Sequence, residues 1–238
     1  MCRVSGGAGP WASGSAAQAS AGAGSTEPAR RYRARVTSAV RFLTDLPGSG
    51  VEFGDPVVAL TFDDGPRPPG TPAVLDALRA SSVRATFFVV GENVAEHPDL
   101  VRMIVADGHT VGLHGWTHTR FTDLDDAALA SELDRAGELL GELTGASPRL
   151  VRPPYGTLDE RVDWLLRARD LVPVMWSVDP EDWRRPDPET ITGDVLADVA
   201  PGRIVLLHDG LRDGNATVAA VPAIIDGLEC AGYQLVAL

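Results

Sequence analysis

From Val57 to the C-terminus the sequence predicts an α/β fold of about seven parallel strands in a single domain, on three observations. Short apolar runs alternate with amphipathic stretches, the texture of βα units that feed a parallel sheet. The runs are continuously apolar, with no alternation of polar and apolar residues, as expected of strands covered on both faces. Polar groups, Asp63-Asp64, His114, Arg152, Asp179 and His208, stand where the runs end. A barrel and a doubly wound sheet share the first two traits. The third favours a (β/α) barrel, where functional groups converge at the C-terminal ends of the strands.

In chain order, the apolar run Val57–Phe62 is the first strand and the amphipathic stretch Pro72–Ala80 the first helix. Ala85–Val90 and His109–Leu113 are strands flanking the helix Asp99–Asp107. Asp125–Thr144 carries the clearest helical period, with Leu129, Leu133, Ala136, Leu139, Leu140 and Leu143 on one face. Leu150–Arg152, Val172–Val178, Ile204–His208 and Gln234–Leu238 complete the strands, and Leu158–Ala168, Pro188–Val199 and Thr217–Ala231 the helices.

A chain of 238 residues with 44% hydrophobic composition can bury a full-sized core. One catalytic domain is expected over 55–238, with 1–54 a low-complexity tail and linker, rich in Ala, Gly and Ser and expected to be disordered. In that tail Arg30-Arg31-Tyr32-Arg33 follows the small residues, the reverse of a secretory leader. Val36–Arg41 carries hydroxyls and a charge where a twin-arginine signal needs an apolar core. No leader is legible, so the sequence alone reads as cytoplasmic. A net charge of -12 argues against nucleic acid or anionic lipid as a partner, and no apolar run is long enough for a membrane span. A neutral or cationic substrate and a monomer are expected. Cys2 and Cys230, at opposite ends, have no metal or redox spacing, and no disulfide is expected between them.

The chemistry lies in Thr61-Phe62-Asp63-Asp64-Gly65-Pro66 and His114-Gly115-Trp116-Thr117-His118. Successive side chains at a strand end point to opposite sides, so one aspartate can ligate a metal while its neighbour faces the water. Two histidines four apart close on one ion from a helical turn or a tight loop, and with one aspartate they leave positions open for water and substrate. Metal-assisted hydrolysis follows, with the spare carboxylate as general base. Alone, Asp-Asp-Gly-Pro also reads as a turn and His-x-x-x-His as a solvated helix face; following parallel strands in one domain, they gain weight together.

Five motifs in order resemble carbohydrate esterase family 4, the polysaccharide deacetylases that share a domain with the rhizobial nodulation deacetylase. Besides the two above, they are Arg152-Pro153-Pro154-Tyr155-Gly156, Asp179-Pro180-Glu181-Asp182-Trp183-Arg184-Arg185-Pro186 and Leu206-Leu207-His208. The resemblance spans roughly Asp55 to Leu238. It implies a distorted (β/α) barrel and a metal-dependent hydrolase releasing acetate from an N-acetylated amino sugar of chitooligosaccharide or peptidoglycan type. The metal would be zinc or another divalent transition ion such as cobalt.

By the same resemblance Asp64, His114 and His118 hold the metal, and Asp63 is the general base, kept ionised and oriented by Arg152. The backbone N–H of Tyr155 faces the oxyanion. His208 is the general acid, its pKa raised by Asp182; Trp183 and Leu206 wall the acetyl methyl group, and Asp179 is a positioning residue. Gly115 departs from the family, which usually has Ser or Thr after the first histidine, where a hydroxyl can brace the loop; Thr117 is the candidate replacement. Gly70–Pro72, Gly91–Pro98 and Leu211–Thr217 are expected to be loops between the motifs and are candidate groove walls. An O-acetyl ester, as in xylan, or an acylated intracellular small molecule is the alternative substrate. A non-haem iron oxygenase shares the ligand set but has no use for His208, and an inactive sugar-binding module has no use for an intact acid–base pair.

Overall fold

The computed structural model describes Thr44 and residues 56–184, 187–211 and 215–238. The tail expected at 1–54 therefore lies outside the described residues except for Thr44. Among the described residues there are seven strands: β1 (Val57–Asp63), β2 (Thr86–Val89), β3 (Thr110–Leu113), β4 (Leu150–Val151), β5 (Val172–Pro173), β6 (Ile204–His208) and β7 (Gln234–Leu235). All pair in parallel, in the order β5-β4-β3-β2-β1-β6, with β7 on the first residues of β1. A parallel bridge between Val178 and Val205 joins the segment after β5 to β6 and closes the sheet on itself. Of the two closures the sequence left open, this is the barrel, distorted by its short fourth, fifth and seventh strands.

Helices α1 (Gly70–Ala80), α2 (Gly91–Glu96), α3 (Pro98–Ala106), α4 (Asp126–Thr144), α5 (Glu160–Arg167), α6 (Pro188–Asp198) and α7 (Asn215–Cys230) connect the strands. All seven residues of β1 are buried, which is why its sequence shows no alternation. Phe62 and Phe87 stack at 5.2 Å between β1 and β2. Helix α4 buries Leu129, Leu133, Ala136 and Leu140, begins where the Asp125 carboxylate accepts the Ala128 N–H at 2.8 Å, and ends at Gly145 in the left-handed region (φ 75°).

Two expectations need correction. Gly91–Pro98 is not a loop: it contains α2 and the start of α3, while Gly70–Pro72 is the first turn of α1. Within Leu211–Thr217, residues 212–214 lie outside those described. The fifth strand stops at Pro173 because the next carbonyls, of Val174 and Met175, accept from the Arg152 guanidinium (3.1 and 2.9 Å). The expectation of no disulfide between Cys2 and Cys230 falls outside the described residues, since Cys2 is not among them.

Register sets the site. Asp63 pairs across with His208 on β6 and with Phe88 on β2, and Leu113 pairs with Val151. The residues after Leu113 and Val151, His114 and Arg152, therefore leave the sheet at the same end as Asp63 and His208.

Candidate active site

Asp63 and Arg152 form the buried base of the site. Arg152 has no exposed surface; its Nη1 donates to Asp63 Oδ1 and to Thr61 Oγ1, each at 2.8 Å. With its other nitrogens on the Val174 and Met175 carbonyls and its guanidinium 4.3 Å from the centre of the Phe88 ring, the cation is fixed on every side. Thr61, two residues before Asp63 and on the same face of β1, donates to the Val205 carbonyl at 2.6 Å.

Strict strand alternation would turn Asp64 away from Asp63. Instead Asp64 takes a left-handed backbone (φ 73°), and both carboxylates reach His114: Nε2 lies 3.7 Å from Asp63 Oδ2 and 3.4 Å from Asp64 Oδ1. His118 Nε2 is 3.1 Å from the same Asp64 oxygen. Asp64, His114 and His118 each offer a ligand atom within 4.8 Å of the others, and Asp64 Oδ1 is buried with no hydrogen-bond partner of its own. His114 Nδ1 lies 2.6 Å from the Arg152 carbonyl, so that nitrogen carries the proton and Nε2 is the one free to ligate. Burial pushes the Asp64 carboxyl up, but the two imidazoles outweigh it and hold it well below the usual carboxylate range. Burial likewise pushes His114 down, while Asp63 and Asp64 pull it above its ordinary value. A buried cluster of one ionised carboxylate and two imidazoles is matched to a divalent cation.

On the other side stands His208. Its Nδ1 is 2.7 Å from Asp182 Oδ1, and Asp182 Oδ2 accepts the His208 N–H and the Thr217 hydroxyl, both at 2.8 Å. Burial pushes the imidazole down; Asp182 more than compensates, raising its pKa to about 9. Tyr155 has a left-handed backbone (φ 59°, ψ 15°), is largely exposed, and packs its ring 4.7 Å from that of His118. Leu206 is buried on the same face of β6 as His208, and Trp183 is half-exposed with the Arg184 guanidinium 4.2 Å from its ring centre. Asp179 accepts the Glu181 N–H at 2.9 Å. Arg185 and Pro186 of the fourth motif lie outside the described residues.

Sequence reasoning missed four supports. Asn93, in α2, donates to the Asp64 carbonyl at 2.7 Å. Asp209 is fully enclosed beneath Gly65 and accepts from Thr71 Oγ1 at 2.5 Å. Thr217 orients Asp182. Glu132, on α4, accepts the N–H groups of Trp116 (2.7 Å) and Thr117 (2.9 Å) and the Thr117 hydroxyl (2.9 Å). A signal for Glu132 existed: it falls three residues after Leu129 and four before Ala136, within the apolar stripe of α4. Gly115 also finds its reason. It has φ 78°, and a Cβ there would meet Phe121 and the Glu132 carboxylate at 3.1 and 3.2 Å.

A family model described as polysaccharide deacetylase matches residues 50–174. A chitooligosaccharide deacetylase of Rhizobium leguminosarum bv. trifolii is 39% identical over 212 residues, covering 82% of this chain and 95% of the relative. The chain belongs to the polysaccharide deacetylase family. As a member of this family of hydrolases it is also 37% identical over 185 residues to a peptidoglycan-N-acetylglucosamine deacetylase of Bacillus cereus; that match covers 76% of this chain and 66% of the relative. Among solved polysaccharide deacetylases, the peptidoglycan deacetylase PdaC from Bacillus subtilis superposes with a TM-score of 0.72 at 35% identity, covering 79% of this chain and 90% of that one. A family 4 carbohydrate esterase from Streptomyces lividans in complex with acetate gives 0.70 at 34%, covering 76% and 91%.

Proposed function

We propose that this polysaccharide deacetylase removes the N-acetyl group of an amino sugar in a chitooligosaccharide or peptidoglycan strand, releasing acetate. The supporting observation is a base and an acid held on either side of one ligand cluster: Asp63 clamped by Arg152, and His208 kept protonated by Asp182. Asp64, His114 and His118 would hold zinc, whose catalytic sites take three nitrogen and oxygen ligands from the protein; cobalt is the alternative. The chemistry such an ion supplies is polarisation of the acetamide carbonyl and acidification of the attacking water.

The chain's own groups do the rest. Asp63 takes the water's proton, its orientation set by Arg152 so that the receiving oxygen is Oδ2. The Tyr155 N–H donates to the developing oxyanion. His208 gives its Nε2 proton to the leaving nitrogen. An amine cannot depart as an anion whereas an alkoxide can, so a histidine poised with a proton favours amide over ester. Leu206 and Trp183 flank the methyl group.

The test is acetate release from N-acetylglucosamine oligomers, peptidoglycan fragments and acetylated xylan, each with a chelated control. Asp63→Asn and His208→Ala, folded and metal-loaded, are expected to lose at least a hundredfold in kcat. Wild-type rates in either variant would sink the reading, and release from xylan alone would move the bond to an ester.

A further inference from the structure

We infer that Glu132 is a positioning residue that holds the His118 loop in its ligating shape, the part a hydroxyl after His114 was expected to play. This rests on the reading that Asp64, His114 and His118 bind a divalent metal.

The loop between β3 and α4 is unusual in its backbone. Gly115 (φ 78°) and His118 (φ 62°) are both left-handed, a conformation that strains any residue with a Cβ. A strained ligand keeps its geometry only where its surroundings over-determine it. On one side α2 supplies donors: the N–H groups of Gly91 and Glu92 reach the carbonyls of Gly115 and Trp116, both at 3.0 Å. The loop's own N–H groups at Trp116 and Thr117 turn the other way, and both end on Glu132 Oε2. Its second oxygen takes the Thr117 hydroxyl, which lies 2.7 Å from that of Thr119, so the residues on both sides of His118 are tied to one carboxylate. One turn along α4, the Arg135 guanidinium sits 3.6 Å from the Trp116 ring centre and presses the loop from the same helix.

The two histidines depend on this support unequally. His114 directly follows β3, and its Nδ1 proton is held by a backbone carbonyl. His118 has the strained backbone and an exposed flank. Loss of Glu132 therefore releases chiefly the His118 arm, and the consequence falls on metal affinity before it reaches the barrel.

The experiment is zinc affinity by competition with a chromogenic chelator, on wild type, Glu132→Ala, Glu132→Gln, Thr117→Val, His118→Ala and the Glu132→Ala/His118→Ala double variant. Thermal unfolding of the metal-free proteins reports the fold. Glu132→Ala is expected to bind zinc 10–100-fold more weakly. Glu132→Gln, with one acceptor oxygen left, should fall between, and Thr117→Val should lose less. The double variant should bind no more weakly than His118→Ala alone, because both changes remove the same arm. A folded Glu132→Ala within twofold of wild type overturns the inference while leaving the metal site intact, as does full additivity in the double variant. If wild type and His118→Ala bind zinc equally poorly, the metal reading fails and this one with it. Should Glu132→Ala not fold, Glu132→Gln and Thr117→Val decide by the same criterion.

Discussion

Replacing Arg152 with Met keeps most of the buried volume and removes only the charge and its donors. Asp63, about as buried as its partner, then loses its hydrogen-bonded counter-charge, a situation that costs roughly 3–5 kcal/mol when one member of a buried pair is deleted. The carbonyls of Val174 and Met175 lose their donor at the same time, at about 1–3 kcal/mol each if nothing replaces it. A loss of at least about 5 kcal/mol is expected in urea titrations of the metal-free protein, followed by far-UV circular dichroism. For a domain of this size that lowers Tm by about 10 °C or more. Adding Asp63→Asn to Arg152→Met removes the stranded charge but not the stranded carbonyls, so it should recover about 2–3 kcal/mol, although Asp63→Asn alone destabilises. The metal-free form is essential, since a bound dication would shield Asp63. Arg152→Met within 1 kcal/mol of wild type, or no recovery in the double variant, would refute the account of a caged ion pair.

Other outcomes follow from the same geometry. His208, with its pKa raised to about 9, contributes stability fully present below its ordinary value of 6.5 and lost as pH rises through 9; kcat should fall over that upper range, and Asp182→Asn should move the alkaline limb to lower pH. Burial, with Asp63 and Asp64 nearby, pushes Asp209 up to about 7, so the folded protein holds a proton the unfolded chain releases between pH 3.8 and 7. Stability of the metal-free protein should therefore decline as pH rises through that window, and Asp209→Asn should remove up to about 4 kcal/mol of that decline, read from urea midpoints at pH 4 and 8. Gly65→Ala places a methyl group within 2.6 Å of Asp209 Oδ1 and should cost about 1–3 kcal/mol by calorimetry, with Asp209→Ser restoring part of it. Chelation should abolish acetate release and lower Tm, and His114→Ala should show neither response to chelator.

Strand positions were legible because a strand covered on both faces writes itself as an unbroken apolar run, as β1 does. The ends of β5 were not, because the competitor for its carbonyls is a guanidinium more than twenty residues earlier in the chain. Helix α2 was hidden by its brevity: six residues beginning with Gly carry too little period to register. In the site, the groups that carry charge at strand ends were visible from the sequence, and the structure brings Asp63, Asp64, His114, His118, Arg152, Asp182 and His208 together. The supports were harder to see. Asn93 and Thr217 act through single hydrogen bonds across long sequence separations, for which no local pattern exists. Alternation also misled at one point, since the left-handed turn at Asp64 swings its carboxylate back beside that of Asp63.

Arg152 serves two masters by two different parts. Its side chain orients the Asp63 carboxylate, while its main-chain oxygen fixes the proton on His114. Because the second task belongs to the peptide group, it survives every amino-acid replacement at this position that leaves the backbone in place. On the proposed function, ion capture and bond cleavage can thus drift apart: a descendant of this chain could abandon hydrolysis by changing one residue and keep the pocket proposed to hold the ion. Occupancy of the pocket is therefore no guarantee of turnover among proteins built on this plan.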